Sequence, residues 1–266
     1  MHTVTSRDGT AIAYAKSGTG PAVILVDGAL CHRAFGPSGP LAEQLKTAFT
    51  VYTYDRRGRG ESGDTPPYAV EREVEDLEAL VEEAGGAVSL YGTSSGAGLA
   101  LEAAARIPGI TRLAVYEPPF IVDDSRPPVP ADHAARVEAA VAAGRRGEAV
   151  KLFMKQVGAP AFMVAVMSLF PVWSKLKAVA HTLPYDLTIM AEGQRGHALP
   201  AEKFASIKAP ALAAVGGKSP QWMRNAVEAV AAALPDARLR VLPGQNHMVK
   251  PRPLAPILTE FFREKS

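Results

Sequence analysis

A short apolar strand, Ala87–Tyr91, runs into Gly92-Thr93-Ser94-Ser95-Gly96 and then into an alanine-rich helix expected to reach Ile107. Few folds accept that order. In a Gly-x-Ser-x-Gly turn between strand and helix the central residue sits on a sharp bend, and side chains at Gly92 and Gly96 would collide with neighbouring backbone. Ser94 is thereby pushed out at the carboxyl end of its strand, while the N–H of Ser95 points where a negative oxygen would form. Ser94 is a candidate nucleophile if the chain also supplies a base and an acid.

The sequence around this turn reads as a sheet built to hold it. Residues 2–17 form two alternating runs about Asp8-Gly9, a signal for a two-residue hairpin. Ala22–Val26 is continuously apolar and β-branched, as a strand covered on both faces requires, and ends at Asp27-Gly28-Ala29-Leu30. A helix around Leu41–Lys46 precedes a strand at Phe49–Tyr54. Residues 70–84 then place Val70, Val74, Leu77, Leu80 and Val81 on one helical stripe, with acidic residues between them. Thr111–Tyr116 is the next strand. Gly58-x-Gly60-x-x-Gly63 imitates a dinucleotide fingerprint, but Asp64-Thr65-Pro66-Pro67 follows where that motif needs a helix.

From Glu117 the pattern changes. Pro118, Pro119, Pro127, Pro128 and Pro130 form a rigid connector, and segments 132–143, 148–157, 160–169 and 173–192 are helical. The apolar run Ala161–Phe170 lies between Pro160 and Pro171 and is too short to cross a bilayer. It is either core of these helices or a Met- and Phe-lined ceiling over an apolar ligand. Strands resume at Ala211–Gly216 and Arg238–Leu242. Between them a helix starts near Pro220 with Ser219 as N-cap, and a last helix runs through Leu254 to Phe262. Alternating strands and helices imply right-handed parallel crossovers behind an antiparallel start. The expected architecture is α/β: a mostly parallel eight-stranded sheet with an antiparallel start, helices on both faces and an inserted all-helical cap. The core would comprise residues 1–119 and 206–266, and the cap 120–205.

Composition narrows the partners. With 29 basic and 27 acidic residues the formal charge is +2, and no basic run offers a nucleic-acid footprint. Arg56, Arg57 and Arg59 are the densest basic cluster and are expected to brace their loop through Asp55 and Glu61. The single Cys31 excludes an internal disulfide and, with no Cys/His pair at ligand spacing, argues against a structural zinc site. Met1–Gly9 has no signal-peptide core. These features fit a cytoplasmic monomer or homodimer acting on a small molecule, with no cofactor, metal, nucleic acid or membrane.

The Gly28 turn, the Asp55–Ser62 segment, the elbow Gly92–Gly96 and a late His247 preceded by Gly244 resemble, in that order, the α/β-hydrolase fold superfamily over essentially the whole chain. In that superfamily the nucleophile precedes the acid and the histidine comes last. A serine hydroxyl needs a base to take its proton, and a histidine near its reference pKa of about 6.5 suits that task. His247 follows the last strand, whereas His2 is terminal, His32 follows Gly28, and His133, His181 and His197 fall in the cap.

The acid commonly follows the strand ending here at Gly216, yet Gly217–Gln221 holds no carboxylate. The alternative position, one strand earlier, offers Glu117, with Asp123 or Asp124 as substitutes. The amides of Ala29 and Ser95 would form the oxyanion hole. Asp27, where the family more often has His, is either a turn-former or a carboxylate that orients Arg33 or His32 or repels an anionic substrate. Tyr91 and Trp222 would be core or pocket wall, and Cys31 packing. Pocket candidates are thus Asp27, Phe162, Met163, Met167 and Trp222. The resemblance implies a serine hydrolase cleaving a small, largely apolar ester, lactone or thioester. The alternatives are a cyclase, lyase or perhydrolase reaction in the same pocket, or ligand binding without catalysis.

Overall fold

The computed structural model describes residues 2–264; Met1, Lys265 and Ser266, which belong to the expected core segments, lie outside the described residues. β1 (His2–Thr5) and β2 (Ala11–Ser17) pair antiparallel, with Thr5 opposite Ala11. Their connection is longer than the two-residue turn that Asp8-Gly9 suggests. Ser6 N–H donates to the Thr10 carbonyl, which leaves Arg7, Asp8 and Gly9 in the bend, with Gly9 at φ 86°. Within that bend the Asp8 carboxylate accepts from Thr10 N–H and from Arg57.

The remaining elements follow in alternation: β3 (Ala22–Val26), α1 (Ser38–Leu45), β4 (Thr50–Tyr54), α2 (Val70–Glu83), β5 (Val88–Thr93), α3 (Ser95–Ala104) and β6 (Ile110–Tyr116). After a helical stretch come β7 (Ala211–Gly216), α10 (Gln221–Ala233), β8 (Ala237–Leu242) and α11 (Pro251–Arg263). The sheet order is β1-β2-β4-β3-β5-β6-β7-β8, and every pairing beyond β2–β4 is parallel. The strand order reverses around β3, so the carboxyl ends of β3, β5, β6 and β7 open on one edge. That edge is where open α/β sheets hold their ligands.

Burial follows from the largely apolar inner strands. On one face Leu77, Leu80, Leu99 and Val227 of α2, α3 and α10 close over Leu90 and Leu113; on the other Leu41, Leu45, Leu254 and Leu258 of α1 and α11 close over Val23 and Val51. Each fully buried Leu contributes about 1.5–3 kcal/mol relative to an exposed one. The stripe on α2 is as spaced, but Glu73 and Asp76, expected among its solvent-facing acids, are only 1% exposed.

Between β6 and β7 lie helices α4 (His133–Ala142), α5 (Arg146–Gln156), α6 (Ala161–Met167), α7 (Val172–Val179), α8 (Leu183–Met190) and α9 (Ala201–Phe204), with no strand among the described residues. They share a cluster of their own around Val137, Val150, Trp173, Leu176 and Leu183, which also takes Leu30 from the turn after β3. Among the described residues no single helix is long and apolar enough to cross a membrane; α6 and the stretch Val172–Met190 reach that length only jointly, across a 101° bend.

Candidate active site

The bend at Ser94 has φ 56° and ψ −130°, a conformation an L-residue adopts only when its surroundings impose it. Gly92 packs against the Gly96 carbonyl, and Gly96 against the carbonyls of Val26 and Asp27. A Cβ at either position would displace backbone. Ser94 N–H donates to the Tyr116 carbonyl at 2.9 Å, which ties the elbow to the end of β6. The next residue there, Glu117, is also strained, at φ 47°.

That strain turns the Glu117 carboxylate across the ends of β6 and β7. Its Oε1 accepts from Gly216 N–H at 2.7 Å and from the Ser219 hydroxyl, and its Oε2 lies 2.9 Å from His247 Nδ1. Ser219 is therefore not the N-cap of α10, which starts at Gln221 with no side-chain cap. The hydroxyl is spent on Glu117 instead. His247 Nε2 is 3.2 Å from Ser94 Oγ. The histidine loop is held from beneath, because Tyr116 Oη donates to the Asn246 carbonyl at 2.6 Å and Met248 N–H donates to Asn246 Oδ1. Glu117 is 0% exposed and His247 37%, so the chain of contacts runs from a buried acid to a serine on a cavity wall.

Ala29, Ser94, Ser95 and His247 line one cavity of about 370 Å³, closed by Pro119 and Ile121 from the connector, Phe153 from α5, Leu187 and Met190 from α8, and Trp222 and Met223 from α10. The amide of Ser95 heads α3, where the first N–H groups of a helix have no partner within it. Ala29 follows Gly28, which packs on the Ser94 side chain, and precedes Leu30, a third left-handed residue at φ 62°. Among the described residues no cluster of three His, Cys, Asp or Glu side chains is arranged to hold a metal ion.

The alpha/beta hydrolase family model matches residues 20–256 of this chain. The chain belongs to that family. An α/β hydrolase of known structure from Sphaerobacter thermophilus is 53% identical, with 98% of this chain and 100% of that one covered and a TM-score of 0.90. An enol-lactonase from Burkholderia xenovorans (20% identity, 99% and 100% covered, TM-score 0.72) and an esterase from Exiguobacterium antarcticum (17%, 98% and 99%, TM-score 0.72) share the fold.

In this hydrolase several expected pocket residues stand elsewhere. Phe162 and Met163 are 69% and 54% exposed on the outer side of α6, and Met167 packs on the helices' own cluster. None lines the cavity. An apolar run at helical spacing marks a helix, but not which side of it faces the site. Trp222 does line the cavity. Asp27 does not: it is buried at the start of α1, where Ser38 Oγ donates to it at 2.7 Å, so it is a turn-former and leaves Arg33 to others. Burial pushes its carboxyl up to about 6, against the hydrogen bonds from Ser38 and the charges of Arg59 and Arg56. Cys31, pushed up to about 12 mainly by burial, is a packing thiol.

The basic cluster departs from expectation most. Arg33, not the cluster, binds Asp55 and Glu61. Arg56 forks onto Glu73 and reaches Asp186 at 2.7 Å; Arg57 pairs with Asp76 and Asp8; Arg59 pairs with Asp186 at 2.6 Å and donates to the carbonyls of Gly28 and Cys31. Asp186, from α8, also accepts from Ser95 Oγ at 2.8 Å. Burial works to raise its pKa, but Arg59 and Arg56 hold the carboxyl below its ordinary value. The two turns that present Ala29 and Ser95 are thus fastened to one buried carboxylate. Sequence reasoning missed Asp186 and Glu73 because both lie in helices whose acids look solvent-facing.

Proposed function

We propose that this hydrolase cleaves a small ester, lactone or thioester, largely apolar, through an acyl-enzyme on Ser94. The observation that carries the reading is the continuous relay Glu117 Oε2, His247 Nδ1, His247 Nε2, Ser94 Oγ, with spacings of 2.9 and 3.2 Å. Both fall within or near the reach of a hydrogen bond. Ser94 Oγ attacks the carbonyl carbon as its proton passes to His247 Nε2, and the displaced electron pair settles on the carbonyl oxygen, held by the N–H groups of Ala29 and Ser95. Collapse of that intermediate expels the alcohol or thiol, which takes the proton back from Nε2. Water, deprotonated by the same nitrogen, then frees the acid from Ser94. Glu117 keeps Nδ1 protonated and answers the imidazolium's charge at each transfer.

A cavity of about 370 Å³ with apolar walls suits a ligand of small-molecule size. Residues 120–205 serve as the cap over it. The fold's neighbours include an esterase, an enol-lactonase and a bottromycin epimerase, so the fold leaves the reaction open, and the relay is what supports hydrolysis. A fluorophosphonate probe is expected to label Ser94. Ser94→Ala should abolish labelling and lower kcat/KM on p-nitrophenyl and lactone substrates by about 10⁴-fold or more. Unlabelled folded protein, or a Ser94→Ala variant that still turns over, defeats the acyl-enzyme.

A further inference from the structure

One charged side chain on the cavity wall has no role in the relay. Arg126 comes from the proline-rich connector, which is strapped to the helical segment by hydrogen bonds from Ile121 N–H to the Gly193 carbonyl and from Val129 N–H to the Gln194 carbonyl. Its guanidinium carbon lies 4.2 Å from the centre of the Trp222 ring, and Nη2 donates to the Gln156 carbonyl. The fork has more donors than that carbonyl uses. Trp222 and Gln156 both line the same cavity as Ser94 and His247.

No carboxylate answers this cation among the described residues, and burial alone lowers its pKa. Asp123, three residues before it, is engaged by Ser125 and Asn225. The other permanent charge on the wall, Asp186, is matched by Arg56 and Arg59. The cavity therefore carries a positive end that its own side chains leave unpaired. A partly desolvated guanidinium without an anion costs stability, and its planar fork matches a carboxylate that a ligand could bring. The indole holds the planar fork in place before anything binds.

We propose that the substrate carries a carboxylate besides the bond that is cleaved, and that Arg126, stacked on Trp222, receives it. This rests on the ester-cleaving reading and narrows it: the ligand's body is apolar and one end is an anion.

Two matched pairs of esters test the claim, one with the charge on the acyl side and one with it on the alcohol side: mono-p-nitrophenyl glutarate against p-nitrophenyl pentanoate, and 4-carboxyphenyl against 4-carbamoylphenyl butyrate. In at least one pair Arg126→Ala should lower the ratio of kcat/KM for the anionic over the neutral ester on the order of 10- to 100-fold, mostly through KM, and Arg126→Lys should retain part of it. A bracing role alone would lower both members equally; ratios within twofold of the parent in both pairs overturn the proposal. Glutarate binding to Ser94→Ala, followed by protein NMR, separates this claim from the acyl-enzyme. Binding that weakens at least tenfold on adding Arg126→Ala upholds the anion site even if no ester is turned over, whereas binding indifferent to Arg126, or absent, counts against it even if Ser94 is labelled.

Discussion

Two buried carboxylates, Glu117 and Asp186, lie on opposite sides of the elbow and have been given opposite surroundings. Asp186 is fully matched: Arg56 and Arg59 approach its two oxygens at 2.7 and 2.6 Å, and Glu73 takes the remainder of Arg56. Glu117 meets only neutral donors, the Gly216 amide and the Ser219 hydroxyl, and a histidine that gains charge when it takes a proton. A network whose charges are already answered gains nothing from a further proton transfer and serves as a clamp. A buried carboxylate with one seat left for a cation favours the state in which that cation appears. Only the second arrangement can assist a reaction, although the first is the stronger set of bonds.

Substitutions can break or sharpen this contrast. Glu117→Gln retains an acceptor for Gly216 and Ser219 but cannot answer an imidazolium. We expect kcat to fall about 10³- to 10⁴-fold with little change in the urea midpoint. If the variant unfolds instead, Glu117 is a clamp like Asp186. Asp186→Ala strips Arg59 of the one carboxylate that it meets among the described residues and should cost about 3–5 kcal/mol in urea unfolding; a loss of activity at unchanged stability would erase the distinction.

The smallest effect concerns Asp27, whose carboxylate accepts from Ser38 beside the arginine network. Its carboxyl titrates near 6 in the folded protein against an ordinary 3.8, so between those values the native state holds more protons than the unfolded one. Stability therefore declines as pH rises through that window and stays lower above it. Asp27→Asn removes this term, and its stability relative to the parent should improve by about 1–3 kcal/mol between pH ~4 and ~7. A difference that is flat with pH would show that the native environment does not raise Asp27.

Most of the sheet, and the meeting of Ser94, Glu117 and His247, were legible for local reasons. β3 and β7 are short apolar runs and β5 and β6 largely so; Ser94 and Glu117 directly follow β5 and β6, and His247 stands in the loop after β8, so chain order suggests that they meet. Asp186 was not legible, because its bond to Arg56 spans 130 residues and nothing at either end announces the other. Periodicity also assigns acids to solvent, which fails for Glu73 and Asp76, and assigns apolar runs to the interior, which fails for Phe162. Arg126 was not legible either, because nothing in the sequence brings it to Trp222, which lies 96 residues further along the chain.

Leu30, Ser94 and Glu117 are the non-glycine residues with left-handed backbone among those described, and they stand at the ends of three adjacent strands. Strain of this kind costs on the order of 1–3 kcal/mol per residue. Glycine would relieve it at Ser94 without opening the apolar clusters, whereas Leu30, 3% exposed, offsets its strain by burial and Glu117 by its hydrogen bonds. Of the three bends, only the one at Ser94 is therefore a place where a relaxed backbone would leave the scaffold sturdier.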